Sequence, residues 1–176
     1  MKMKIFCIGY PRTGTHSIIS ALGKLGYKGW HYNRNHYKWA VKAIRIGEFS
    51  EKILNDNVAF ADVPIFYIYK NLDKMYPSSK FILITREKQS WFESMQFVMN
   101  HKNRKLYPDD HNQFLWCNLY PEMIEEHTKN VKDHFFGRED KLLVMDLKKI
   151  DYKILGVFLN IPEPFLGSFP HENKRD

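Results

Sequence analysis

Gly9-Tyr10-Pro11-Arg12-Thr13-Gly14-Thr15-His16-Ser17 decides how the chain is read, because of what stands on either side of it. Residues 3–8 before it form an apolar run that stops at Gly9. Residues 15–26 after it carry Ile18, Ile19, Leu22 and Leu25 at helical spacing up to Gly26. The order is strand, glycine loop, helix. Where a strand feeds a helix through such a loop, backbone N–H groups and the helix dipole form a cradle for an anion.

Working outward, residues 58–63, 81–85 and 142–145 are short, apolar and bounded by polar or turn residues, which predicts three more strands. Helical patterns separate them at residues 67–76, 89–99 and 112–136, the last divided by Pro121. Apolar strands alternating with helices predict an α/β fold, a three-layer domain with a central parallel sheet of about four to five strands flanked by helices. In such a sheet ligands gather beyond the carboxyl ends of the strands. The tail at residues 162–176 holds three prolines and is expected to be irregular. No internal repeat or linker interrupts the pattern, so residues 1–176 read as a single domain.

Composition agrees with that reading. Hydrophobic residues at 44% and charged residues at 27% are globular proportions, and 176 residues bury enough surface for one core without staples. The net charge of +7 favours an anionic partner without choosing between nucleic acid, an acidic membrane face and a small polyanion. Cys7 and Cys117 are the only cysteines, which argues against a disulfide framework and for a reducing compartment. The apolar start is too short for a signal peptide and runs straight into the loop, and no segment approaches the roughly 20 apolar residues that span a bilayer. A cytoplasmic protein without membrane or nucleic-acid partners is expected. The basic run Lys102-Asn103-Arg104-Lys105 is read as solvated loop.

The loop has the G-x-x-x-x-G frame of a Walker A motif, but Thr15 stands where the lysine belongs and His16 where the magnesium-binding hydroxyl belongs. It resembles instead the phosphosulfate loop of sulfotransferases that use 3′-phosphoadenosine 5′-phosphosulfate (PAPS), Pro-[Lys/Arg]-[Ser/Thr]-Gly-Thr-Thr, matched by Pro11-Arg12-Thr13-Gly14-Thr15 and broken at His16. Ser17 occupies the place where cytosolic members carry an adenine-stacking Trp. A second segment, Ile84-Thr85-Arg86-Glu87-Lys88-Gln89-Ser90-Trp91-Phe92-Glu93-Ser94, resembles the family's 3′-phosphate segment, with an Arg at a strand end and a Ser eight residues on. Phe60-Ala61-Asp62-Val63-Pro64, Tyr76-Pro77-Ser78-Ser79-Lys80-Phe81, Lys141-Leu142-Leu143-Val144-Met145 and Phe169-Pro170-His171-Glu172-Asn173 are similar to recurrent blocks of a short bacterial-type subgroup.

The resemblance implies a P-loop-type transferase that moves a sulfuryl group from PAPS to an acceptor hydroxyl and releases adenosine 3′,5′-bisphosphate (PAP). It assigns Arg12, Thr13, Gly14, Thr15, His16 and Ser17 to the 5′-phosphosulfate, and Arg86 and Ser94 to the 3′-phosphate. Arg12 is expected to stabilise charge on the leaving group. Asp62, two residues before Pro64 where cytosolic members place a catalytic His, is expected to be the base, with His16 and His31 as rivals. The late Arg-Lys-Gly segment of longer members is absent; residues 171–175 are read as a disordered terminus, with a substitute 3′-phosphate segment as the alternative. Trp30, His31, Tyr32, His36, Tyr37 and Trp39 read either as an acceptor pocket or lid or as core. No histidine, cysteine or carboxylate spacing matches a metal site, so no metal is expected. Two rival functions follow from the loop alone: a nucleotide or small-molecule kinase, and a non-catalytic nucleotide-binding module.

Overall fold

The structure, a computed structural model, describes residues 3–99, 119–162 and 167–170, without the side chain of Arg34. Five strands form one parallel sheet: β1 (Ile5–Cys7), β2 (Gly29–His31), β3 (Ala59–Ala61), β4 (Lys80–Thr85) and β5 (Leu142–Asp146), in the order β2-β3-β1-β4-β5. Seven helices accompany it among the described residues. These are α1 (Thr15–Lys24), α2 (Tyr37–Ile46), α3 (Glu51–Asp56), α4 (Tyr69–Met75), α5 (Lys88–Met99), α6 (Met123–His134) and α7 (Tyr152–Phe158).

β1 lies between β3 and β4, with Ile5 opposite Ala59 on one side and Lys80 on the other. A strand covered on both edges and both faces has no use for polar side chains, and Ile5, Phe6 and Cys7 are all buried. Burial pushes the Cys7 thiol up, which keeps it an inert core residue. Alternation sends Phe6 to one face, where its ring stands 5.3 Å from those of Phe60 and Phe81. On that face Leu72 of α4, Trp91 of α5 and Val131 of α6 complete the larger core. On the other face Ile5, Cys7, Ala59 and Ala61 meet Ile18, Ala21 and Leu22 of α1 and Leu155 of α7. The two β3 alanines leave room for α1 to come close.

The structure adds elements that periodicity did not signal. Gly29-Trp30-His31 is a strand, so the strand leading to Asp62 is third in chain order rather than second. Residues 37–46, 51–56 and 152–158 are helical. The pattern at residues 112–136 becomes α6 at Met123–His134, and residues 112–118 lie outside the described part, as do Cys117, Lys102–Lys105 and Lys174-Arg175. Within the tail, Phe169 packs its ring 5.1 Å from that of Tyr152. No helix among the described residues is long and apolar enough to cross a membrane.

Connections run outward in opposite senses from β1 and β4, which makes the crevice between their carboxyl ends the switch point of the sheet. The loop at residues 9–14 leaves β1 there, and Arg86 follows β4.

Candidate active site

Every residue singled out for chemistry lies at or just beyond the carboxyl end of a strand: the loop after β1, His31 ending β2, Asp62 after β3 and Arg86 after β4. The exception is Ser94, which lies apart from the strand ends, on α5, eight residues beyond Arg86.

The loop is held from three directions. Thr13 Oγ1 donates to the Tyr10 carbonyl (2.6 Å), closing the turn. Trp91 Nε1 of α5 donates to the Pro11 carbonyl (3.0 Å), and His127 Nε2 of α6 donates to the Ile8 carbonyl (2.6 Å). Tyr10 is sandwiched between those same two rings, 4.4 Å from His127 and 5.6 Å from Trp91 by centroid. Burial pushes the His127 ring below the usual imidazole range, which keeps it neutral with its hydrogen on the nitrogen that faces Ile8. A Cβ at Gly9 would stand 2.6 Å from Thr13 Oγ1 and 2.9 Å from the Ile84 carbonyl, so only glycine lets the loop close against β4. Gly14 caps α1 at φ 86°, which a side chain resists. The first N–H groups of α1 point out of the helix toward the space that the loop encloses.

Arg12 and Asp62 share an unusual backbone. Both are non-glycine residues at positive φ, 68° and 72°, a region that costs on the order of 1–3 kcal/mol and persists only where surroundings enforce it. Around Arg12, Arg86 Nη1 donates to its carbonyl (2.7 Å), and its own Nε donates to Ser94 Oγ (3.0 Å). Arg86 also reaches Ser90 Oγ through Nε (3.1 Å) and Nη2 (2.8 Å). Around Asp62, the Val63 N–H donates to Oδ1 (2.8 Å) and the Ile65 N–H to the carbonyl (2.7 Å).

Asp62 is 4% exposed. Burial raises its carboxyl above the usual carboxylate range, against the opposing pull of His31, the Val63 N–H, His16 and Arg12. His31 Nε2 stands 3.5 Å from Asp62 Oδ2 and 3.1 Å from Thr15 Oγ1. Its Nδ1 lies 3.2 Å from the Tyr32 carbonyl. The ring of His16, exposed on the first turn of α1, stands 4.7 Å from that of His31. The loop cation, a buried carboxyl and two imidazoles thus meet in one place.

The structure brings together Arg12, Thr15, His16, His31 and Asp62, and ties Arg86 and Ser94 to Arg12 from the β4 side. It pairs the two expected phosphate residues with other partners: Ser94 accepts from Arg12, and Arg86 bonds Ser90. Trp30 is buried in the larger core with Tyr32 and Trp39 against it, which favours core over lid for that aromatic segment, while His31 turns to the opposite face. Sequence reasoning gave no role to His127, Trp91 or Ser90. Their sequence signal is weak, since a histidine on an amphipathic helix and a Ser one turn after an Arg are common.

Comparison with known proteins identifies the family. A model of the family described as "Sulfotransferase domain" matches residues 4–120. The Ava biosynthesis cluster protein M of Aspergillus versicolor is 31% identical over 136 residues, covering 65% of this chain and 52% of that protein. The chain therefore spans about half the length of the curated relative it matches. In fold it is similar to a sulfotransferase from Alicyclobacillus acidocaldarius, with a TM-score of 0.62 at 13% identity, covering 100% of this chain and 87% of that one. With the family's model matched over more than half of its residues, and the loop, Arg86 and Asp62 each at a strand's carboxyl end, the chain belongs to the sulfotransferase domain family.

Proposed function

We propose that the protein transfers a sulfuryl group from PAPS to a hydroxyl-bearing acceptor and releases PAP. The observation that carries this reading is the meeting of Arg12, inside the loop after β1, with the buried Asp62 and its partner His31 after β3 and β2. The reading is supported by a loop that glycine at position 9 lets pack against β4 and that leads into the N-terminus of α1.

Arg12, Thr13, Gly14, Thr15, His16 and Ser17 would hold the 5′-phosphosulfate, mainly through main-chain N–H groups. Arg12 supplies a fixed cation for the charge that grows on the bridging oxygen as the sulfur–oxygen bond breaks. Arg86 would meet the 3′-phosphate from the β4 side of the switch point, with Ser94 either beside it or holding Arg12 in place. Asp62 takes the acceptor's proton. A carboxyl pushed up by burial is a stronger base than an ordinary one once ionised, and positioned bases contribute roughly 10² to 10⁴ in rate. The acceptor enters from the side of His31 and His16, opposite the 3′-phosphate.

The test is ligand-dependent thermal stability of the full chain followed by transfer. PAP at 100 times its dissociation constant adds about 2.7 kcal/mol, a clear shift in Tm. The reading expects PAP to stabilise the fold where adenosine 5′-phosphate and ATP with magnesium do so much less. Radiolabelled sulfate from PAPS is then followed into a panel of phenols, alcohols, sugars and water. Equal stabilisation by ATP with magnesium, without sulfate transfer, would turn the assignment toward a kinase.

A further inference from the structure

Three nitrogens in the aromatic segment around β2 do not belong in a purely apolar core. Trp30 Nε1, His36 Nδ1 and Trp39 Nε1 are buried, and none has a hydrogen-bond partner among the described residues. Trp30 as a whole is 7% exposed. An indole N–H that leaves water without a new partner forfeits its hydrogen bond to solvent, so native interiors rarely strand one. Trp91 shows the ordinary outcome, with its Nε1 spent on the Pro11 carbonyl.

The stranded nitrogens are neighbours. The Trp30 ring centroid stands 5.1 Å from that of His36 and 5.2 Å from that of Trp39, with Phe60 behind it at 6.4 Å. His36 precedes α2 without using its side chain to cap the helix. Burial pushes the His36 ring below the usual imidazole range, which keeps it neutral. Indole N–H groups only donate, and the imidazole nitrogen that lacks a hydrogen accepts. Two donors, one acceptor and no charge suit a hydroxyl, whose oxygen takes the indole hydrogens and whose own hydrogen goes to Nδ1. A carboxylate or phosphate would instead leave water for three groups that carry no positive charge.

The register places these groups beside the base. Trp30 lies opposite Phe60, and His31 after it lies opposite Ala61, the residue before Asp62. His36 and Trp39 come from the connection that leaves the carboxyl end of β2. We propose that Trp30, His36 and Trp39 form a subsite that holds a second hydroxyl of the acceptor. This rests on the sulfuryl-transfer reading, and it makes the acceptor a polyhydroxylated ring. One hydroxyl meets Asp62, the body of the ring crosses the end of β2, and another hydroxyl reaches the two indoles and His36. The aromatic walls supply the apolar surface against which such a ring packs.

The experiment follows the indole ¹H–¹⁵N NMR signals of the labelled full chain, assigned with Trp30→Phe and Trp39→Phe, as resorcinol, its dimethyl ether or 3-hydroxybenzoate is added. Resorcinol is expected to move the Trp30 and Trp39 signals saturably, while that of Trp91, held by Pro11, stays in place. The ether and the anion bind about tenfold or more weakly. Trp39→Phe keeps an aromatic ring and removes one N–H, so it weakens resorcinol about tenfold. Signals that ignore resorcinol, or answer the ether equally well, overturn the subsite. So do indole hydrogens that exchange with a long-lived water and respond to no probe, which would make the trio a buried water site. Resorcinol binding with no sulfate transfer by wild type to any member of the acceptor panel would leave the hydroxyl site standing and sink the sulfuryl-transfer reading.

Discussion

Nε of Arg12 donates a 3.0 Å hydrogen bond to Oγ of Ser94, a residue 82 positions further along the chain and only 1% exposed. The bond joins the loop after β1 to α5, and it aims the guanidinium of a residue whose backbone sits at φ 68°. A hydroxyl this buried, already bonded to the loop cation, is expected to set Arg12 rather than to meet a ligand.

Ser94→Ala is therefore expected to lower sulfuryl transfer by about ten- to a hundredfold, the equivalent of the 1.5–3 kcal/mol that a hydrogen bond to a charged group is worth. PAP and adenosine 5′-phosphate lose affinity to the same modest degree. Isothermal titration of both nucleotides checks this. Loss for PAP alone would return Ser94 to the 3′-phosphate.

Arg86 has a double attachment, to the Arg12 carbonyl (2.7 Å) and to Ser90. A strand-end guanidinium reserved for the 3′-phosphate predicts that Arg86→Ala weakens PAP by about 1.5–3 kcal/mol and leaves adenosine 5′-phosphate nearly untouched. The bond to Arg12 supplies the competing outcome. If Arg86 chiefly braces the loop, both nucleotides weaken together and Tm falls.

Asp62→Asn separates stability from turnover. Burial raises the carboxyl, so the folded-state value lies above the unfolded one. For a group so raised, the stabilisation of the neutral form is complete below the unfolded value and is lost as pH rises through the folded value. Above that point the wild type carries an ionised buried carboxylate, and the amide variant does not. Asp62→Asn keeps an oxygen for the Val63 N–H, so urea denaturation at pH 8 is expected to find it at least as stable as wild type. Its turnover falls roughly 10² or more, with PAP affinity nearly unchanged. A less stable variant at pH 8 would contradict the raised carboxyl, and near-normal turnover would pass the base role to His31 or His16.

How much of this was legible before the fold was known varies with distance along the chain. The loop at residues 9–17 was readable because its determinants are contiguous: an apolar strand, two glycines five residues apart and a helical pattern. Arg86 and Asp62 were singled out through the family resemblance, and each also ends an apolar run, where a parallel sheet gathers its ligands. β2 was not, since Gly29-Trp30-His31 is three residues long and becomes a strand through pairing with Ala59-Phe60-Ala61. That pairing delivers His31 to Thr15 and Asp62. The aromatic segment stayed open between pocket and core for a related reason: Trp30 and Trp39 pack edge to face at 5.2 Å in the core, and nothing local distinguishes that from a pocket wall. Contacts such as His127 to Ile8, 119 residues apart, carry no local pattern at all.

Asp73 shows the same long-range logic away from the site. On α4, with a side chain 6% exposed, it accepts from His134 (2.9 Å), Arg138 (2.7 Å) and Lys141 (2.7 Å), fastening α4 to α6 and to the start of β5. Burial alone would raise the carboxyl. Hydrogen bonds from Lys141, Arg138 and His134 outweigh it and hold the group below the usual range. For a carboxyl so lowered, the stabilisation is present above the unfolded value and is lost as pH falls through the folded one. Asp73→Asn is expected to lose about 1.5–3 kcal/mol at pH 7 by denaturant titration. The gap to wild type narrows as pH drops below about 4, where the carboxyl of the unfolded chain begins to take up its proton. A gap constant down to pH 3 would mean that shape rather than charge holds the cluster.

The final expectation concerns charge at the reacting centre. In P-loop kinases the hydroxyl after the loop lysine binds magnesium, and the metal offsets the charge of the transferring phosphoryl group. Here Thr15 and His16 fill those two positions, and the His16 ring stands 4.7 Å from that of His31. A transferring sulfuryl group bears less negative charge than a phosphoryl group. On the proposed reading, one fixed cation and the N–H groups of the first turn of α1 are expected to stabilise the departing PAP without a metal. Arg12 is assigned that role, with its Nε on Ser94 and its carbonyl accepting from Arg86. Excess chelator is expected to leave sulfuryl transfer intact. Arg12→Ala is expected to remove most of it, by about 10² or more in kcat, the scale of losing one donor aimed at developing charge. Arg12→Lys recovers part of the rate, because an ammonium restores the charge but not the planar fork that Ser94 holds. Loss of transfer on chelation, with rescue by magnesium, would show that the loop needs a metal after all, and Arg12 would then be a ground-state anchor for the 5′-phosphate.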